Sequence, residues 1–149
     1  MKLGRLNHIG VATPSIEESV RYYRDAMGAT SFHKPFDLEA QGVKVCFVDT
    51  PGLNGTHGTQ IELIEPLSAD SPIARFLEKN PAGGQHHLCY EVEDIEEARS
   101  WFEGLGKRIL GPTRIGAHGT PIFFLHPKDM MGQLTEIMET PKDNAHWSN

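Results

Sequence analysis

The chain has 149 residues, 38% hydrophobic and 23% charged, which suits a soluble globular domain large enough to bury a core. Fourteen basic against twenty acidic residues leave a formal charge of -6, and the lysines and arginines are scattered, so no nucleic-acid footprint is expected. Its apolar runs are strand-length and Met1-Lys2-Leu3-Gly4-Arg5 precedes no signal-type stretch, so we expect a cytoplasmic protein with no membrane partner.

Leu6 to Ala12 reads as a strand. Pro14 and Ser15, with Glu18 behind them, form a capping box that opens a helix; Val20, Tyr23 and Met27 keep helical spacing and Gly28 ends it. Ala29 to His33 starts a second strand, Pro35 to Ala40 is loop-like, and Val43 to Val48 alternates as a third strand, stopped by Thr50-Pro51-Gly52. After a polar turn to Thr59, Gln60 to Glu65 is a strand with Gln60, Glu62 and Ile64 on one face and Ile61, Leu63 and Glu65 on the other. Asp70 or Ser71 then caps a short helix, about 71–80, with Pro72 at its first position and Asn80-Pro81-Ala82-Gly83-Gly84 as its stop.

The second half follows the same plan. Gln85 to Val92 is a strand, Asp94 and Glu97 form a second capping box, and Ile95, Ala98, Trp101, Phe102 and Leu105 make the apolar stripe of a helix. Arg108 to Leu110 reads as a short strand, Pro112 to Gly119 as a glycine-rich loop, Ile122 to Leu125 as a strand closed by His126-Pro127-Lys128-Asp129, and Gln133 to Glu139 as the last strand. The expected class is α+β: a single domain of two βαβββ modules, about 5–66 and 84–140, joined by the short helix, with a polar tail at 141–149.

The two halves repeat each other in their letters. His8-Ile-Gly-Val-Ala-Thr-Pro-Ser-Ile-Glu-Glu matches His87-Leu-Cys-Tyr-Glu-Val-Glu-Asp-Ile-Glu-Glu, and Gln60-Ile-Glu62-Leu-Ile-Glu-Pro matches Gln133-Leu-Thr-Glu136-Ile-Met-Glu-Thr-Pro. Each half therefore supplies one histidine on its first strand and one carboxylate on its last. Two imidazoles and two carboxylates balance a divalent ion and leave positions open at a six-coordinate one, a catalytic layout. His8, Glu62, His87 and Glu136 are the metal-ligand candidates, for cobalt, nickel, manganese or zinc. His86 competes with His87 from the opposite strand face, but His87 is the one that aligns with His8. Glu65, Glu91 and Glu139 are competing carboxylates, set aside as solvated acids near strand ends. Core histidines and strand-end glutamates would be the plain reading of each residue alone; their repetition argues against it. Cys46 and Cys89 lie in apolar strands without metal spacing and read as inert core thiols.

The stretch from Asp70-Ser-Pro-Ile-Ala-Arg-Phe-Leu-Glu-Lys-Asn-Pro-Ala-Gly-Gly-Gln to His86-His-Leu-Cys-Tyr-Glu-Val resembles the vicinal oxygen chelate (glyoxalase-like) superfamily, and within it the methylmalonyl-CoA epimerases. So do Ile115-Gly-Ala-His-Gly-Thr-Pro-Ile-Phe-Phe-Leu-His-Pro-Lys-Asp129, Leu6-Asn7-His8 and the two carboxylate strands, and the similarity spans roughly residues 6 to 139. The resemblance implies paired βαβββ modules forming a metal-lined cup, the same four ligands, and epimerisation of an acyl-CoA thioester by metal-assisted proton abstraction through an enolate. It assigns a catalytic base to Glu136. It implies substrate contacts from Gly116, Ala117, His118 and Gly119, where a tight turn is the plainer reading, and places Lys128 near a pantetheine or phosphate group, where a solvated surface lysine is the plainer one. A homodimer and a place in propionate metabolism are expected with it.

One position departs from the pattern. Some relatives carry a glutamate two residues after the Gln-Gly-Val segment, but here Gln41-Gly42-Val43 is followed by Lys44 and Val45, and valine moves no proton. The second acid-base group must be a water or another residue; Gln60 can position such a water but is no base itself. A lactoylglutathione lyase-like isomerase would use the same ligands, although the Ala-His-Gly loop and the joint helix favour the epimerases. A two-histidine, one-carboxylate dioxygenase would leave Glu62 or Glu136 unexplained. A metal-free, small-molecule-sequestering module would carry inward carboxylates at a cost of several kcal/mol each.

Overall fold

The structure, a computed structural model, describes residues 1–142, so the tail read at 141–149 lies outside the described residues from 143 on. The chain divides into two compact units, one running His8–His86 and the other combining Met1–Asn7 with the residues from His87 on. Each carries half of the α+β pattern read from the sequence.

The first unit contains β1 (Leu6–Ala12, whose first two residues count with the other unit), α1 (Ile16–Asp25), β2 (Phe36–Leu38), a 3-10 turn at Glu39–Gln41, β3 (Val43–Val48), β4 (Gln60–Pro66) and α2 (Pro72–Lys79). Its strands lie in the order β2-β3-β4-β1, with β4 antiparallel to β3 and parallel to β1. Alternation along β3 and β4 sends Cys46, Val48 and Leu63 to the face that α1 covers, where they close a core with Ile16, Val20, Tyr23 and Phe32. Each large side chain buried there contributes roughly 1.5–3 kcal/mol. The opposite face of the sheet carries Gln60 and Glu62 of β4 and His8 of β1. The capping box at Ser15 forms as expected, its hydroxyl accepting from the Glu18 N–H at 3.1 Å.

The second strand falls elsewhere than expected. Ala29 to His33 makes only one bridge, Phe32 to Val48, while β2 forms inside the segment read as a loop. Phe36 to Leu38 pairs with Val45 to Val43 across the 3-10 turn, which Gly42 closes at φ 69°. Three residues with a central aspartate are too short for alternation to reveal. At the end of α2, Gly83 sits at φ 87°, where an added Cβ would lie 2.3 Å from the Ala12 carbonyl oxygen, so the sharp stop needs a glycine.

The second unit contains most of β5 (Gly84–Val92), α3 (Ile95–Gly104), β6 (Arg114–Ile115), β7 (Pro121–Leu125), a 3-10 turn at Pro127–Asp129 and β8 (Thr135–Glu139), with strand order β5-β8-β7-β6. Asp94 accepts from the Glu97 N–H at 2.9 Å, as its capping box requires. Ile95, Ala98 and Phe102 of α3 pack on Val92, Phe123, Leu125 and Ile137. Trp101 and Leu105 do not join them: they are 49% and 57% exposed, because Trp101 stands at the edge of the stripe and Leu105 beyond the last helical residue. Arg108 to Leu110 makes a single bridge, Ile109 to Leu125; the chain leaves the sheet at Gly111 and Pro112 and returns as β6, inside the stretch read as a glycine-rich loop. The last strand begins at Thr135 because the Gln133 N–H is spent on a turn to the Met130 carbonyl.

Met1–Asn7 belongs to this unit through Glu91. The Gly4 N–H donates to the Glu91 carbonyl at 2.8 Å and the Glu91 N–H to the Arg5 carbonyl at 3.0 Å. Glu91 is not the solvated strand-end acid expected: it is buried, and Arg5 (2.5 Å) and Asn7 (3.3 Å) compensate its carboxylate.

Candidate functional site

His8 of β1 is the Cα partner of Gln60, and Glu62 follows two places along β4, so strand alternation puts all three on the face turned away from α1. The His8 Nε2 lies 3.3 Å from the Glu62 Oε2, and the residues are 1% and 5% exposed. The Phe47 ring, opposite Glu62 on β3, meets the His8 ring edge-on at 6.1 Å and helps hold its orientation.

The second unit repeats this arrangement. The His87 Nε2 of β5 lies 3.1 Å from the Glu136 Oε2 of β8, with exposures of 3% and 4%. Phe124, opposite Glu136 on β7, meets the His87 ring edge-on at 5.4 Å. His86 points to the other face and packs on Phe76 of α2 at 5.2 Å, which removes it from competition with His87. Each unit thus keeps one imidazole nitrogen and one carboxylate oxygen together where desolvation makes an uncompensated carboxylate costly. Nitrogen and oxygen donors of this kind fit a divalent metal ion.

The competing carboxylates are engaged elsewhere. Glu65 Oε1 accepts from the Ile16 N–H and Glu139 Oε2 from the Ile95 N–H, each at 3.0 Å. Both therefore cap the first turn of a helix, three residues beyond Glu62 and Glu136 and on the opposite strand face. The sequence reading missed this role, although the equal spacing in both halves was its visible signal. Cys89 is the Cα partner of Glu136 and is buried; burial also pushes the Cys46 thiol upward, consistent with an inert group.

The loop residues fall into different settings. Gly116, Ala117, His118 and Gly119 join β6 to β7 in a tight turn, with the Gly119 N–H on the Gly116 carbonyl at 3.0 Å and Gly119 at φ 79°. Gly116 and His118 are buried, Ala117 is half-buried and Gly119 is exposed. Lys128 is exposed, and its backbone N–H is held by His126 Nδ1 at 3.0 Å. Gln60 is buried and gives its Nε2–H to Asp49 Oδ1 at 2.8 Å. Asp49 also accepts from the Ser31 hydroxyl and from His33 Nε2, at 2.5 and 2.9 Å. Burial alone would raise the Asp49 carboxyl, but the hydrogen bonds from Gln60, Ser31 and His33 outweigh it and hold the group below its ordinary range. Asp49 and His33 were not singled out by sequence, since Asp49 ends an apolar strand at a turn signal. Val45 is buried and opposite Ile64, so no proton-carrying side chain stands at that position.

Residues 7–124 match the model of the Glyoxalase/Bleomycin resistance protein/Dioxygenase superfamily. The ethylmalonyl-CoA/methylmalonyl-CoA epimerase of Cereibacter sphaeroides is 50% identical over 137 residues, covering 91% of this chain and 97% of that protein. The mitochondrial methylmalonyl-CoA epimerase of Dictyostelium discoideum is 44% identical over 138 residues, 92% of this chain and 79% of that protein. Among solved structures, a variant of Streptomyces coelicolor methylmalonyl-CoA epimerase in complex with 2-nitronate-propionyl-CoA superposes with a TM-score of 0.82 at 33% identity, covering 93% of this chain and 98% of that one. By domain match, identity and fold, this chain belongs to the glyoxalase/bleomycin resistance protein/dioxygenase superfamily.

Proposed function

We propose that the chain is a methylmalonyl-CoA epimerase, interconverting the two configurations at carbon 2 of a 2-carboxyacyl-CoA thioester. The buried histidine–glutamate pair that recurs in both units carries this reading. Relatives named for this substrate class support it, among them one that is 50% identical to this chain over 137 residues.

The α-proton of such a thioester is acidic because the carbanion delocalises onto the carbonyl oxygen. Glu136 takes that proton: the C–H bond breaks, an O–H bond forms on the carboxylate, and the electron pair moves into the enolate. Return of a proton to the opposite face completes the inversion. His8, Glu62, His87 and Glu136 are the residues that would hold a divalent ion, of cobalt, nickel, manganese or zinc; when bound, it supplies charge stabilisation at the enolate oxygen. Gln60 places a water, the turn of Gly116, Ala117, His118 and Gly119 receives the acyl end, and exposed Lys128 meets the anionic arm of coenzyme A. A cytoplasmic homodimer acting in propionate metabolism completes the reading. No helix among the described residues is long and apolar enough to cross a membrane.

Incubation of the metal-loaded protein with one configuration of methylmalonyl-CoA, followed by chiral separation, tests the activity. Conversion toward an equal mixture is the expected result. Conversion of a glutathione hemithioacetal, with methylmalonyl-CoA left unchanged, would instead identify a lactoylglutathione lyase-like isomerase.

A further inference from the structure

Arg5, Arg21, Arg24, Arg99 and Arg108 each have a carboxylate oxygen within 3.3 Å. Arg114 is exposed and makes no such pair among the described residues, in a chain with twenty acidic side chains. Its guanidinium stands instead over the Phe124 ring, 5.8 Å from the ring centre. A ring contact steadies the cation but gives none of its five N–H donors an acceptor oxygen.

Two anchors fix where Arg114 stands. Before β6, Arg99 of α3 donates to the Gly111 carbonyl at 3.0 Å and to the Thr113 hydroxyl at 3.1 Å; after it, the Gly116 N–H donates to the Thr120 carbonyl at 3.0 Å. Between these anchors Arg114 is the Cα partner of Ile122. Phe124 follows Ile122 by two places and is itself the Cα partner of Glu136, so Arg114, Phe124 and Glu136 share one sheet face. The Phe124 ring also meets His87 edge-on at 5.4 Å, and His87 lies 3.1 Å from Glu136. The guanidinium and the His87 imidazole therefore meet the same aromatic ring, wholly within the second unit.

We infer that Arg114 binds the free carboxylate of the 2-carboxyacyl thioester and so selects such thioesters over simple acyl thioesters. This rests on the epimerase reading. The free carboxylate is bonded to the same carbon whose proton Glu136 takes, whereas the phosphates of coenzyme A lie at the far end of the pantetheine arm. With carbon 2 at Glu136, the substrate anion nearest to Phe124 is thus the carboxylate. A guanidinium fork offers it two parallel N–H donors, which an ammonium does not.

Dimethylmalonyl-CoA has no α-proton and does not turn over, and isobutyryl-CoA is the same molecule with hydrogen in place of the carboxylate. The test measures equilibrium binding of each, by calorimetry, to metal-loaded wild type, Arg114→Gln and Arg114→Lys, alongside inversion of methylmalonyl-CoA by wild type. Arg114→Gln should bind dimethylmalonyl-CoA about 10-fold more weakly or worse, with its affinity for isobutyryl-CoA unchanged. Arg114→Lys should recover only part of that loss, because it keeps the charge and not the fork. Equal losses for both ligands in Arg114→Gln would place the cation at the coenzyme A phosphates, and unchanged affinity for both would leave it a surface side chain; either result overturns the inference. Wild type that fails to invert methylmalonyl-CoA would remove the epimerase reading, and this inference with it, whatever the variants bind.

Discussion

Glu136 stands 3.1 Å from the His87 Nε2 and is buried. Glu136→Gln keeps the size and removes the proposed base; the rate of inversion should fall by about 100-fold or more, measured as initial rate by chiral chromatography. Asp49 gives a different signature. Its folded carboxyl is lowered by the bonds from Gln60, Ser31 and His33, which outweigh the upward push of burial, so the unfolded chain binds its proton more readily than the folded one. The stability this contributes is present above the ordinary carboxylate range, near pH 4, and is lost as pH falls from there through the lowered folded value. Asp49→Asn should therefore flatten part of the acid limb of a denaturation-versus-pH profile. An acid limb identical to wild type would contradict the assigned network.

Strands β4 and β8 each serve both of their faces. Glu62 and Glu136 look to one side, while Glu65 and Glu139 look to the other and cap α1 and α3 at 3.0 Å. Replacing either cap by alanine should cost about 1 kcal/mol in urea denaturation, and equal stability would show that the carboxylate merely faces solvent. Elements of this kind were partly legible in the sequence. Both capping boxes, the helix beginning at Pro72 and the strand bearing Glu62 follow from local chemistry that the chain states outright. Strands β2 and β6 were missed because three residues and two residues carry no period, and only pairing with β3 and β7 defines them. Trp101 was misplaced because apolar character cannot reveal where the covered width of a sheet ends. Glu91 was misplaced because its partners Arg5 and Asn7 lie far away in sequence.

At the scale of the whole molecule, the repeat is the feature the sequence displayed best, since His8 with Glu62 and His87 with Glu136 form the same pair in their separate units. His33 and Asp49 were hidden because they belong to one half only, so symmetry could not draw attention to them. The proposed ligand set of two imidazoles and two carboxylates predicts one divalent ion per chain by elemental analysis. Chelation should abolish inversion and lower the melting temperature, by the linkage that gives about 2.7 kcal/mol when free metal stands hundredfold above its dissociation constant. Full activity after exhaustive chelation would rule out the proposed metal role.

The most direct measurement is proton exchange at carbon 2: metal-loaded protein and methylmalonyl-CoA of one configuration in deuterated water, followed by NMR with chiral analysis. Deuterium incorporation with inversion, lost in Glu136→Gln, is the predicted result. No exchange by the wild-type protein would contradict the epimerase assignment.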